Sequence, residues 1–359
     1  MSGIISYGVY FPKYRLKAQE VVDVWKNAQP SVLKKMGYIE RAVCGPDQDT
    51  ITLAVEACQI AIERCNVRPD QINALFFGSG TSPYASKAAS TVVCDALGLR
   101  RDVMSYDLQF SGKSGTSAII TAKAYVDAGM AEYALAIGVD TMSVHIPAGH
   151  VLESGASCGA AAFIIGREGV IAEINGIQSY QQDQADYFRV EGERYLQVGS
   201  GIIGYISSWG LSDNVVPNAK AYFEKTNCGP DDFEACALQQ NSFIMPMMIS
   251  GPLKLNVFET VLNNILTSHI GHLGAASALV ALANILDDQE PELRILTLSY
   301  GEGAGSDILD ITTTDAIKDY DVGDTAVFDM FERKEYVDYA TAQKFERKYS
   351  RPQMIHGFI

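Results

Sequence analysis

The stretch Phe110-Ser111-Gly112-Lys113-Ser114-Gly115-Thr116 decides how this chain is read. Before it, residues 103–108 form a short apolar run of strand character; after it, small and apolar residues recur at helical spacing over 114–128. A strand that enters a helix through Ser and Gly is where α/β proteins expose nucleophiles and hold anions, because the first amides of the helix lack partners. Three uses of the turn compete. Gly112-Lys113-Ser114 matches the end of the phosphate loop G-x-x-x-x-G-K-[ST], but the opening glycine would fall at Asp107, whose carboxylate would repel phosphate. A nucleophile elbow would set a thiol or hydroxyl at the helix start, where the helix dipole stabilises its anion. A degenerate elbow would keep the backbone and lose the chemistry.

Outward from the turn the alternation continues. Residues 4–10, 72–77, 132–139 and 160–165 predict buried strands, and Asp49 or Thr50 predicts the cap of a helix in which Leu53, Ala57, Ile60 and Ala61 share one face. Residues 86–96 predict a small-residue helix. A polar, aromatic and Gly-containing stretch at 179–213 is expected to be irregular. Beyond it, 214–226 and 274–286 predict helices and 235–240, 294–300 and 306–312 predict strands. Each half runs strand, turn, Ala/Ser-rich helix and a pair of buried strands, which suggests a duplication with a site where the halves meet. The expected organisation is an N-terminal half over 1–166, a C-terminal half over 167–315 and a tail over 316–359 that packs on the body. The tail's mixed charges and its Tyr320, Tyr336, Tyr339 and Tyr349 suggest a surface wrap.

Composition narrows the function classes. The chain has 359 residues, 47% of them hydrophobic, enough for a real core. Lys plus Arg is 28 and Asp plus Glu is 43, giving −15, the wrong sign for a nucleic-acid reader or an anionic membrane surface. The seven cysteines are odd in number and lack C-x-x-C spacing, so neither a disulfide framework nor structural zinc is expected, and a reducing, cytoplasmic setting is. No apolar run approaches the ~18–20 residues that span a bilayer. No cofactor and no metal site are expected.

The helix opening Asp49-Thr50-Ile51-Thr52-Leu53-Ala54-Val55-Glu56-Ala57 resembles that of the 3-hydroxy-3-methylglutaryl-CoA synthase and ketoacyl synthase III branch of the thiolase superfamily. So do Gly78-Ser79 with Ser82-Pro83-Tyr84, residues 152–166, Asp186-Tyr187-Phe188-Arg189, and Tyr300-Gly301 with Gly303-Ala304-Gly305-Ser306-Asp307. Tyr336-Val337-Asp338-Tyr339-Ala340 is similar to the tail of the archaeal-type synthases. The resemblance implies an α/β thiolase fold, a five-layer αβαβα duplication, usually dimeric, that loads an acyl group on an elbow cysteine served by a glutamate, a histidine and an asparagine. In this chain the cysteine position is Gly112, the glutamate position Gly80, the histidine position Gln239 and the asparagine position His272. A thioester cannot form on glycine, and an amide cannot shuttle protons near neutral pH.

Substitutes are few. Ser111 is a candidate nucleophile without an evident base, and its bland role is a helix cap. Cys158, Cys58 and Cys65 read as core residues. His269 and His272 have i, i+3 spacing but no further ligand for a metal, and His145 and His150 flank a Pro-Ala-Gly turn; all four suggest loop or interface roles. The glycines from 301 to 305 suggest a buried turn beside the site, where Glu302 would oppose an anion. Within the superfamily, residues 4–10, Trp25 in 21–27 and Gly112 are similar to the synthase-like subunits of phloroglucinol C-acetyltransferase complexes. That similarity implies a homodimeric, non-catalytic structural subunit working with two partners, a thiolase-like catalytic subunit and a small zinc-binding OB-fold subunit. Such complexes move acetyl groups between acylphloroglucinols without coenzyme A. The alternatives are an autonomous acyltransferase or condensing enzyme using Ser111 or His272, and a ligand-binding module with a vestigial pocket.

Overall fold

The computed structural model of the chain describes residues 2–26, 35–198 and 209–349. Asn27, residues 199–208 of the polar stretch and the last ten residues of the tail lie outside the described residues.

Among the described residues nine strands form one hydrogen-bonded sheet. On one side of it β1 (Gly3–Tyr10) is followed by β7 (Cys158–Gly166), β6 (Tyr133–Thr141), β4 (Ile72–Gly78) and β5 (Met104–Leu108). On the other side lie β8 (Ala172–Tyr180), β13 (Ser306–Thr313), β12 (Arg294–Tyr300) and β11 (Ala235–Leu238). The first strand of each set runs antiparallel to the last, the last antiparallel to the one before it, and that one parallel to an earlier strand. The strand order therefore repeats. The two sets join only through Gly3↔Glu173 and Ile4↔Ala172. Three short strands, β2 (Tyr14–Lys17), β3 (Glu40–Val43) and β14 (Glu335–Tyr336), make a separate sheet, and β9 (Tyr187–Phe188) pairs with β10 (Gln197–Val198).

Helices complete five layers. Helix α1 (Thr50–Glu63) covers the outer face of β1, β6 and β7, and α3 (Trp209–Thr226) covers β8, β12 and β13. Between the strand sets lie α2 (Ser114–Asp127), against β4, β6 and β13, and α4 (Ser277–Asp287), against β1, β7, β11 and β12. The sequence explains the outer helix: Asp49 Oδ1 accepts from the amides of Ile51 and Thr52, and Thr52 Oγ1 accepts from that of Asp49, a capping box. It also explains the central layers, since every residue of β6 and β7 is buried and the strands read as continuous apolar runs. The close approach of the halves rests on glycine. A Cβ on either Gly115 of α2 or Gly138 of β6 would lie 2.5 Å from the Ala275 carbonyl, a contact that any side chain would break.

Several elements depart from the sequence expectation. Strand β8 was not anticipated, because its Gly176 and polar residues interrupt the apolar pattern; Tyr222 of α3 fills the space above that glycine. Helix α3 already includes Trp209, ahead of the expected start at 214. The helix expected over 86–96 spans Ala89–Ala96, and Asp107, the residue that argues against a phosphate loop, accepts from the amides of Ala89 and Ser90 at its start. No helix among the described residues is long and apolar enough to cross a membrane.

The tail packs through buried charge. Arg41 holds the Glu346 carboxylate with both Nη atoms, and Lys348 Nζ bridges Glu346 Oε2 at 3.0 Å and Glu153 Oε1 at 3.1 Å. All four side chains are at most 1% exposed. Gln343 Nε2 and the Gly149 amide also donate to Glu153. The mixed charges that suggested a surface wrap thus neutralise one another inside. Burial raises the pKa of Glu346, but Arg41 and Lys348 outweigh it and hold the carboxyl down to about 2. A depressed carboxyl contributes stability above its unfolded pKa and loses it as pH falls through the folded one; for Glu346 this window runs from about 4.5 to 2 and amounts to on the order of 3 kcal/mol. Urea unfolding of the wild type and Glu346→Gln should therefore show a stability gap at pH 6 that narrows as the pH drops from 5 towards 3; a gap constant over that range would exclude this role for the carboxylate.

Candidate functional site

The turn after β5 carries a left-handed residue. Ser111, at φ +50°, follows Phe110 and opens a 3-10 turn over Ser111–Lys113 that leads into α2. A left-handed backbone is uncommon for a residue with a side chain and marks stored strain, the geometry that projects a nucleophile from a strand-to-helix turn. The turn is closed by the Ser114 hydroxyl, which accepts from the Phe110 amide at 2.7 Å. Lys113 does not reach outward: it is buried, with Nζ 3.1 Å from Asp307 Oδ1. With Asp107 spent on a helix start, the phosphate-loop option is closed.

A second left-handed residue faces it. The glycine-rich turn after β12 is closed by the Gly301 amide donating to Gly305 O, and within it Glu302 also has φ +50°. Ser111 Oγ donates to Glu302 Oε2 at 2.8 Å, and His272 Nε2 lies 2.9 Å from Glu302 Oε1. Glu302 and His272 are almost wholly buried. Sequence analysis left Ser111 without a base and assigned Glu302 only the ability to oppose an anion; the fold brings the two together across 191 residues. His272, expected in a loop or interface role, is instead a buried partner of that carboxylate.

The four family positions converge on the same place. A Cβ on Gly80 would lie 3.1 Å from the Ser111 Cα. A Cβ on Gly112 would collide with the Tyr300 carbonyl and lie 2.7 Å from Gln239 Nε2, so the position of the missing thiol is closed by backbone and by an amide. Gln239 Nε2 donates to Gly274 O. Behind them, Asp140 accepts from Ser79 Oγ, Thr81 Oγ1, the Gly80 amide and the Ala275 amide, which ties the Gly80 turn to the segment following His272. Burial raises the Asp140 carboxyl to about 6, against the lowering effect of these donors. Nothing in the spacing of the sequence singled out Asp140; its position at the end of the buried strand β6 was the available signal.

Of these residues, Gly80, Ser111 and Glu302 line a solvent-open cleft of about 490 Å³, together with Phe110, Tyr187 and Phe188 among others. That volume falls within the range of small-molecule sites. The remaining candidates lie elsewhere in their chemistry. Cys158 is buried beside Cys44, whose thiol is pushed well up by that contact and by burial. Cys58 is core, and Cys65 Sγ donates to helix carbonyls. His269 stacks on Phe331, so it does not share a site with His272. His150 caps a short turn, and His145 hydrogen-bonds the Arg194 carbonyl.

Comparison with known proteins places this geometry in context. Residues 42–164 match the family described as thiolase, N-terminal domain. The hydroxymethylglutaryl-CoA synthase of Methanocaldococcus jannaschii is 38% identical over 348 residues, 97% of this chain and 99% of that protein. That of Picrophilus torridus is also 38% identical over 348 residues, covering 97% of each. Among solved structures, MvaS in complex with 3-hydroxy-3-methylglutaryl coenzyme A has a TM-score of 0.84 at 19% identity, covering 99% of this chain and 94% of the other. The curacin biosynthetic pathway HMG synthase in complex with holo donor-ACP has a TM-score of 0.83 at 17% identity, covering 96% and 88%. Both structures share the fold. The expectation of a non-catalytic structural subunit is corrected by these findings, because the relatives that match along nearly the whole chain are themselves synthases. The chain belongs to the hydroxymethylglutaryl-CoA synthase family, with the thiolase fold.

Proposed function

We propose that this chain is an acyl-transferring enzyme in which Ser111 Oγ takes the place of the elbow thiol. The observation that carries this is the 2.8 Å hydrogen bond from Ser111 Oγ to Glu302, made between two left-handed residues at the floor of the cleft. A hydroxyl is a weak nucleophile until a neighbouring base takes its proton, and a carboxylate within hydrogen-bond reach meets that geometric need. In the first half-reaction Ser111 Oγ bonds to the carbonyl carbon of an acyl thioester, the C–S bond breaks, and the hydroxyl proton passes to Glu302 and on to the leaving thiolate. In the second, an acceptor carbon or oxygen takes the acyl group and its proton returns through Glu302 to Ser111. His272 Nε2 lies beside Glu302 Oε1 without hydrogen-bond geometry, and Gln239 fills the space at Gly112.

Coenzyme A thioesters enter this proposal through the names of the relatives. The finer similarity to the phloroglucinol C-acetyltransferase subunits, and association with a thiolase-like subunit, a small zinc-binding OB-fold subunit or a second copy of this chain, belong to it as well. In that setting a partner would deliver the acyl group to Ser111 or receive it.

Incubation with acetyl-CoA followed by intact-mass measurement should reveal one acetyl adduct, mapped to Ser111 by peptide sequencing and lost in Ser111→Ala. Glu302→Gln should slow adduct formation about 10²–10⁴-fold. Acetyl transfer by a wild-type protein that never carries an adduct would rule the serine out. Restoring the thiol is expected to fail for a steric reason: Gly112→Cys should cost about 1–3 kcal/mol in urea unfolding, because the Tyr300 carbonyl cannot retreat from the new Cβ. A variant as stable as the wild type would show that the space at 112 is open.

A further inference from the structure

The wall of the cleft is an irregular strap over residues 181–198 whose only regular pairing is β9 with β10. Tyr187, Phe188, Arg189 and Leu196 of this strap line the cleft. Its inner edge is fixed to the floor: the Tyr187 amide donates to Glu302 O at 3.1 Å and the Gln184 amide to Gly303 O at 3.1 Å. Its outer edge is held differently. Arg194 Nη1 donates to Arg347 O and Nη2 to Glu346 O, both at 2.6 Å, while the Arg194 carbonyl meets His145 Nδ1 at 2.8 Å and the Leu196 amide donates to His145 O at 2.9 Å.

The two carbonyls that Arg194 grips belong to the residues just after the last described helix, Tyr339–Phe345. That segment is held in turn by the buried Arg41, Glu346, Lys348 and Glu153 cluster. A charged donor forming two short bonds to backbone carbonyls is a stronger tie than neutral pairs of the same count. From this chain of contacts we infer that Arg194 is a positioning residue for the cleft: it fixes the outer edge of the strap to the latched C-terminal segment, and so sets the spacing between the strap and Ser111 that the substrate must fit. The dependence on Ser111 rests on the function proposed above; the coupling of strap to tail does not.

Arg194→Ala tests it, with Arg194→Lys as the conservative variant. Hydrogen exchange should quicken about tenfold or more at amides of residues 187–197 and stay unchanged in α2 and the central strands. The acetyl-CoA concentration giving half-maximal adduct formation should rise about tenfold, the loss of one or two charge-assisted hydrogen bonds, while the maximal rate stays within about twofold. Lysine should recover part of the affinity, since it keeps the charge and can reach one carbonyl. Unchanged exchange in the strap overturns the inference, and so does a uniform rise in exchange across the molecule or a fall in maximal rate at unchanged half-saturation. If the wild type forms no adduct at all, the serine assignment fails and the exchange pattern alone decides the coupling.

Discussion

One backbone carbonyl governs how closely the two halves of this molecule approach. The Ala275 oxygen sits where side chains would begin on both Gly115 and Gly138, so the helix after the elbow, the central strand beneath it and the turn following His272 are packed without a methyl group between them. Burial of apolar surface drives the halves together, but the distance at which they stop is set by what the contact lacks. At that distance the turns after β5 and β12 are within hydrogen-bond reach, and Ser111 meets Glu302. A bulkier residue at either glycine would force the Ala275 carbonyl away and with it the spacing at which the two turns meet.

In the proposed function the roles at the site are rearranged rather than removed. The elbow's usual position is filled from two sides, by the Tyr300 carbonyl and the Gln239 amide, and the neighbouring residue carries the hydroxyl instead. Its left-handed backbone is strain that the folded structure must sustain, and Glu302 sustains the same strain opposite it. The two left-handed turns meet in that one hydrogen bond, which Ser111 makes from a part-buried position at the cleft. The carboxylate also gains a neighbour in His272, at the position where the family resemblance implies an asparagine.

Much of the fold was legible because it follows periodicity. Buried strands such as β6 and β7 leave unbroken apolar runs, and Asp49 with Thr52 writes the start of α1 into the sequence. The elements that escaped are those too short or too polar to leave a pattern: β2, β3 and β14 are two to four residues each, and β8 is punctuated by Gly176. A helix over Ile244–Leu253 also escaped, because proline is unexpected inside a helix; Pro246 falls in its first turn, where the missing amide has no intrahelical acceptor, while Pro252 lies in its last turn. At the site, Ser111, Gly112, Gly80, Gln239 and His272 were all found from the resemblance, yet the partner of Ser111 was not. Glu302 reaches the hydroxyl only because its backbone is left-handed and its turn is folded back by Gly305, and neither property is carried by residue type. The step from missing family groups to a non-catalytic subunit is overturned by the relatives, which are synthases along nearly the whole chain.

The Arg41–Glu346 pair joins residues 305 positions apart, and β1 finds its partners only in β7 and β8. During synthesis β1 therefore has no sheet to join until the chain has passed residue 166, and Arg41 remains an unmatched cation until residue 346 has been made. Contacts of such long sequence separation are slow to form and leave apolar edges uncovered meanwhile. Residues near Glu346 thus close contacts that the earlier chain leaves open, which makes the growing polypeptide a natural client for chaperones.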